Sequence, residues 1–218
     1  MWFGYTTYMN LTIHKVVLPL RREIKTAKDN IFKRYTILIE VNLDGYCIWG
    51  EAPGFMNSNY MFETHDMLWT KLLSEGHLIF DAIKSRQLSH YCNQISHLPI
   101  FKYALDSIAC QLDAINSGLP LMAHLGIVNQ PFEGTAMMGI HSTESDYLRV
   151  LRLVSQMGYK GIKLKVTPHT LPVINSILAF ALDQFDYVAI DANGSFDASN
   201  VDQLKLIPNQ VVLEQPVM

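Results

Sequence analysis

The 218 residues are 49% hydrophobic and only 17% charged, which excludes a disordered or fibrous chain and suits one sizeable domain or two small ones. A net charge of −3 and a pI near 6.2 leave no basic footprint for nucleic acid. No apolar run reaches the roughly 18 residues of a membrane helix, since the most apolar stretch, 174–190, is broken by Asp183, Gln184 and Asp186. No Lys or Arg precedes Lys15 and no small-residue cleavage site follows an apolar run, so no secretory signal is expected. Cys47, Cys92 and Cys110 are odd in number and lack zinc spacing, and read as reduced core residues of a cytoplasmic protein.

In chain order, Leu11 to Leu20, Tyr35 to Glu40 and Tyr46 to Gly50 are rich in β-branched and aromatic residues, with an Asp44-Gly45 turn before the third. They predict an antiparallel arrangement of about three strands. Trp49 reads as core, and Trp2, Phe3, Tyr5 and Tyr8 as a packed extension. Residues 61–116 then take a helical period, in His65, Leu68, Leu72 and Leu73 and again in Ile108, Leu112 and Ile115. Gly118 and Pro120 end the last helix. Residues 126–134 read as the linker between a first domain, 1–125, and a second, 126–218.

From Thr135 the rhythm changes to short apolar strands alternating with helices. Ala136–His141, Gly161–Val166 and Tyr187–Asp191 are each expected to precede a helix, and Val211–Gln215 closes the series. Strand starts 24–26 residues apart have the period of βα units in a parallel barrel or open sheet. Almost wholly apolar strands suit burial on both faces.

The exceptions to that apolarity carry the chemistry. Lys163 and Lys165, two apart in a strand, share one face. Asp191 ends the next strand, in Ala189-Ile-Asp-Ala-Asn-Gly, and Glu214 the one after, in Val211-Val-Leu-Glu-Gln-Pro. Three successive strands thus finish in ionisable groups at one end, where α/β barrels build their active sites. Two carboxylates and two lysines there predict an oxygen-ligated Mg2+ site beside a proton-transfer group. Each piece alone has a plainer reading: K-x-K as a solvated edge face, D-A-N-G as a turn, E-Q-P as a strand end stopped by proline. Their order at βα spacing favours the functional reading.

Together with Leu18-Pro-Leu-Arg-Arg, Tyr35-Thr-Ile-Leu-Ile-Glu-Val and Ile48-Trp-Gly-Glu-Ala-Pro, the constellation resembles the enolase superfamily in its muconate-cycloisomerase-like branch, over essentially the whole chain. The resemblance implies an α+β capping domain followed by a TIM-like, (β/α)7β-type barrel, here incomplete and ending after about four strands. It implies Lys165 as the acid/base group, Lys163 as a stabiliser of the enolate, Asp191 and Glu214 as ligands of Mg2+ or Mn2+, and Asn193 as a residue orienting those ligands. The reaction implied is removal of a proton next to a carboxylate followed by loss of water, with racemisation, epimerisation or cycloisomerisation as variants. The expected partner is a small-molecule carboxylate, without nucleic acid or membrane, and a homo-oligomer is left open. Loops 21–26 and 53–57 are expected to cover the substrate, through Arg21, Thr26, Phe55 and Met56. The family's third metal carboxylate and second lysine fall on strands later than Glu214. The chain is therefore expected to be a fragment or the product of an interrupted gene, inert alone and marginally stable, and a non-catalytic remnant is the other reading.

His141, at the end of the first barrel strand, reads as a hydrogen-bonded or solvated loop residue. The sequence contains no G-x-G-x-x-G, G-x-x-x-x-G-K-[ST] or G-x-S-x-G, so nucleotide-binding and serine-hydrolase readings lack their parts.

Overall fold

A computed structural model describes residues 9–26, 29–58, 61–128 and 130–217. The aromatic residues at positions 2, 3, 5 and 8 lie outside the described residues. Contacts divide the chain into two compact units. One takes the chain up to Pro19 and from Lys33 to Gln130, and the other takes Leu20–Phe32 and the chain from Pro131 onward. The chain thus passes between the units at 19/20, 32/33 and 130/131.

The first unit is α+β. Strands β1 (Met9–Lys25), β2 (Asn30–Leu43) and β3 (Tyr46–Ala52) form one sheet in that order, of which only Leu20–Phe32 is counted with the second unit, and β2 and β3 are antiparallel around Asp44-Gly45. Helices α1 (His65–Lys84), α2 (Leu88–Gln94) and α3 (Pro99–Asn116) follow, then a short α4 (Leu121–His124) that the periodicity does not announce. Alternation in β2 turns Ile37, Ile39 and Val41 inward against Leu68, Leu72 and Ile79 of α1 and Leu105 and Ile108 of α3. Gly50 lets β3 and α3 approach, because a Cβ there would stand 2.3 Å from the Ala104 carbonyl oxygen. The same alternation puts Trp49 outward at 42% exposure, so it is not core. Leu73 likewise leaves the buried stripe of α1. Of the cysteines, Cys92 alone is buried and Cys47 is exposed.

Helix α3 has no side-chain cap of its own. Glu63, 1% exposed, supplies one from outside the helix. Its carboxylate accepts the N–H groups of Ile100 at 2.8 Å and Phe101 at 3.0 Å, two of the donors every helix start leaves unpaired.

His65 opens α1 and is 1% exposed, with neither ring nitrogen hydrogen-bonded among the described residues. Burial, helped by the charge of Lys15 and opposed by Asp66, lowers its pKa below the ordinary imidazole value. The unfolded chain then takes up the proton at higher pH than the folded one, so stability falls as pH drops below about 6.5. The urea midpoint is expected to fall between pH 7.5 and 5.5, and His65→Leu, which breaks no hydrogen bond, to flatten that slope. Identical slopes for parent and variant would refute the assignment.

In the second unit β4 (Thr135–Met138), β5 (Gly161–Lys165), β6 (Tyr187–Asp191) and β7 (Val212–Glu214) form a parallel sheet in chain order. Helix α5 (Glu144–Gln156), capped by Thr143, and α6 (Leu171–Gln184) make the crossovers. Between β6 and β7 the expected helix is a single 3-10 segment, Val201–Leu206. Asp197, Ser199 and Asn200 hydrogen-bond locally before it and Pro208 follows closely, leaving too little chain for more. Met138, Ile162, Leu164, Val188 and Ile190 pack with Tyr147 and Leu151 of α5 and Ile174, Ile177 and Leu178 of α6. Among the described residues the sheet does not close on itself: β4 and β7 each have one neighbour there, and Met137, Val212 and Leu213 on these outer strands are exposed. No described helix is long and apolar enough to cross a membrane.

Candidate active site

Packing of Ile162 and Leu164 on the helices turns Lys163 and Lys165 to the opposite face of β5, and Val188 and Ile190 do the same for Ala189 and Asp191 of β6. Register aligns Lys165 with Asp191 and Asp191 with Glu214, one row across three strand ends. The row below runs Met137, Lys163, Ala189, Val212.

Two lysine–carboxylate pairs form on this face. Lys165, 8% exposed, donates from Nζ to Asp191 Oδ2 at 2.8 Å and to Asn193 Oδ1 at 2.7 Å. Asp191 is 3% exposed, and its Oδ1 accepts the Asn193 N–H at 3.0 Å. Lys163 reaches Glu214 two strands away, at 3.0 and 3.2 Å from its two oxygens, with only the small Ala189 between them in its row. This second pair is the wetter one.

The Ala192–Ser195 segment is a tight turn. Asn193 and Gly194 have φ of 47° and 69°, and the Ser195 N–H donates to the Ala192 carbonyl at 3.0 Å. D-A-N-G is thus a turn, and the turn is what aims Asn193 at Lys165. The N–H groups of Ala192, Gly194 and Phe196 in turn donate to the carbonyls of Glu214, Gln215 and Pro216. Gln215 Oε1 accepts from Asn193 Nδ2 at 3.4 Å, which leaves Asn193 Oδ1 for the lysine. Nothing in the sequence singles out Gln215.

Residues 139–140, just past β4, are level with Lys165 in the register. There the Ile140 N–H donates to the Lys25 carbonyl at 3.2 Å, so the 20–26 stretch meets the sheet at its C-terminal end. Arg21 is exposed in β1, and the Thr26 hydroxyl donates to the Asp29 carbonyl at 2.9 Å and accepts the Asp29 N–H at 3.0 Å. Phe55, bridged to Thr64, and Met56, 55% exposed, belong to the first unit. Arg21 forms no ion pair with Asp191 or Glu214 among the described residues. The His141 N–H donates to Tyr147 Oη at 3.0 Å with the two rings edge to face, and burial lowers its imidazole pKa.

The donors suit a hard cation in kind. Asp191 and Glu214 are carboxylates on neighbouring strand ends, facing the same way, with no sulfur or imidazole among them. In number they fall short, since no cluster of three or more His, Cys, Asp or Glu able to hold a metal occurs among the described residues.

No family model matches the chain. It is 29% identical over 223 residues to an o-succinylbenzoate synthase of Geobacillus stearothermophilus, covering 96% of this chain and 58% of that protein. An N-succinylamino acid racemase of Thermus thermophilus is 31% identical over 121 residues, 55% of this chain and 32% of the racemase. Among solved structures, a dipeptide epimerase from Enterococcus faecalis, complexed with Mg and a dipeptide, superposes with a TM-score of 0.79 at 18% identity, over 95% of this chain and 60% of the epimerase. The chain has the enolase-superfamily fold, in an α+β unit followed by the β/α succession of its barrel. In sequence it is similar to o-succinylbenzoate synthase, and it spans about 58% of the length of those curated relatives.

Proposed function

We propose that the chain carries proton-transfer machinery of an o-succinylbenzoate synthase-like lyase, a step of menaquinone biosynthesis. The observation behind this reading is the buried Lys165, held on Asp191 and Asn193 at a strand end beside a second lysine–carboxylate pair. Sequence likeness to the synthases over nearly the whole chain supports it.

A proton next to a carboxylate is barely acidic, because its loss adds a second negative charge to the same group. A Mg2+ ion held by Asp191 and Glu214 would supply Lewis-acid stabilisation of that charge. Lys165 takes the proton on Nζ. Asn193 fixes the direction of its Nζ, and Lys163 adds positive charge beside the developing anion. Lys165 then returns the proton to the departing hydroxyl. The C–H and C–O bonds are broken, a C=C bond is formed, and water leaves.

The test is Mg2+-dependent o-succinylbenzoate formation by the 218-residue chain and by a form extended to the length of its relatives. The chain with two carboxylates is expected to be inert, the extended form active, and Asp191→Asn inactive in the extended form. An extended form without that activity sinks the proposal. N-succinylamino acid racemisation is the second reading, favoured by the 31% identity over 121 residues. Against it, Pro168 is followed by His169 here, where those racemases tend to carry Pro-Gly.

A further inference from the structure

The first unit contains a cavity of about 210 Å3 between the β2–β3 turn, the corner after α1 and the C-terminal turn of α3. Its floor is apolar, formed by Ile83, Leu88 and Leu112, all buried. Its rim is charged in both signs, with Lys84 and Arg86 from the α1 corner, Asp44 from the turn and Asp113 from α3. None of these four side chains forms an ion pair among the described residues.

The backbone offers a second, independent sign. Helices α3, α4 and α5 end on left-handed glycines, Gly118, Gly126 and Gly158, with φ of 65°, 67° and 81°. Glycine is the residue that takes this position without a Cβ penalty. Helix α1 ends in the same conformation on Arg86, φ 60°, with the Arg86 N–H donating to the Ile83 carbonyl and the Gln87 N–H to that of Ala82. A strained backbone that holds an unpaired guanidinium over an apolar floor is a reason to look for a ligand.

We infer that this cavity binds a small zwitterion with an apolar side chain, that is, a free α-amino acid. Its carboxylate faces Arg86 and Lys84, its ammonium faces Asp44 and Asp113, and its side chain lies on the floor. The volume is below the roughly 300–1,000 Å3 of sites for drug-sized ligands, which favours a ligand of this size.

The experiment titrates L-leucine into the 15N-labelled chain and follows the amides of Gly45, Arg86, Ser89 and Asn116. Saturable shifts are expected. Leucinamide and 4-methylpentanoate, each lacking one charge, are expected to bind at least about tenfold more weakly. Arg86→Gly, which relieves the backbone, is expected to melt no lower than the parent and to lose about tenfold or more in leucine affinity. Lys84→Gln is a second probe that leaves the helix end untouched, and weaker leucine binding is expected there too. Absence of saturable shifts, parental affinity in both variants, or equal binding of 4-methylpentanoate overturns the inference.

Discussion

Replacing Lys165 by alanine is expected to destabilise the second unit by about 3–5 kcal/mol, the usual cost of stranding one partner of a buried ion pair. Asp191 would keep the Asn193 N–H on Oδ1 and lose, on Oδ2, its only cationic partner among the described residues. Stability alone does not separate a structural pair from a functional one, and two further substitutions do. In the 218-residue chain, Lys165→Met with Asp191→Asn removes both charges and should recover most of the loss, because apolar or neutral replacement of a buried pair is often harmless. In the extended form, Lys165→Arg keeps a cation against Asp191 but cannot serve as a base, since a guanidinium stays protonated. Its stability should stay near the parent's, while turnover falls by about 10^3–10^4-fold, the upper range for a lost general base. Near-parental turnover in the arginine variant would show that Lys165 is structural.

The positions of these groups were legible in the sequence because a strand has a period of two and a βα unit a nearly constant length. K-x-K, the aspartate of D-A-N-G and the glutamate of E-Q-P could therefore be set on one face and at one end. Their pairing was not legible. That Lys165 meets Asp191 while Lys163 crosses to Glu214 depends on parallel register and on the small Ala189 between, which single-strand patterns do not encode. Glu63 reaching the start of α3 is a contact across 37 residues and left no local trace. The outward turn of Trp49 escapes the sequence for a related reason. An aromatic residue in a strand is either inward or outward, and Ile48 with Gly50 decides it only once α3 is known to press on Gly50. The short 3-10 segment before β7 shows the limit of reading by period, since spacing between strands counts residues without saying how tightly they are wound.

The two lysines also compete with any cation for the same carboxylates, and this makes metal affinity a direct probe of the site. Mn2+, followed by water-proton relaxation, is a suitable reporter ion in the 218-residue chain. Asp191→Asn and Glu214→Gln should each reduce binding to background, because two carboxylates are the whole acidic set on this face among the described residues. Lys163→Met should act in the opposite direction. Its pair with Glu214 is partly exposed, at 27% and 42% of the two side chains, so breaking it is worth at most about 1 kcal/mol, or up to about fivefold in affinity. Removing a positive charge from the cation's neighbourhood acts in the same sense. Tighter Mn2+ binding in Lys163→Met, with loss in both carboxylate variants, is the expected pattern. Unchanged binding in Asp191→Asn would mean that the ion sits elsewhere and that the row of strand ends is not a metal site.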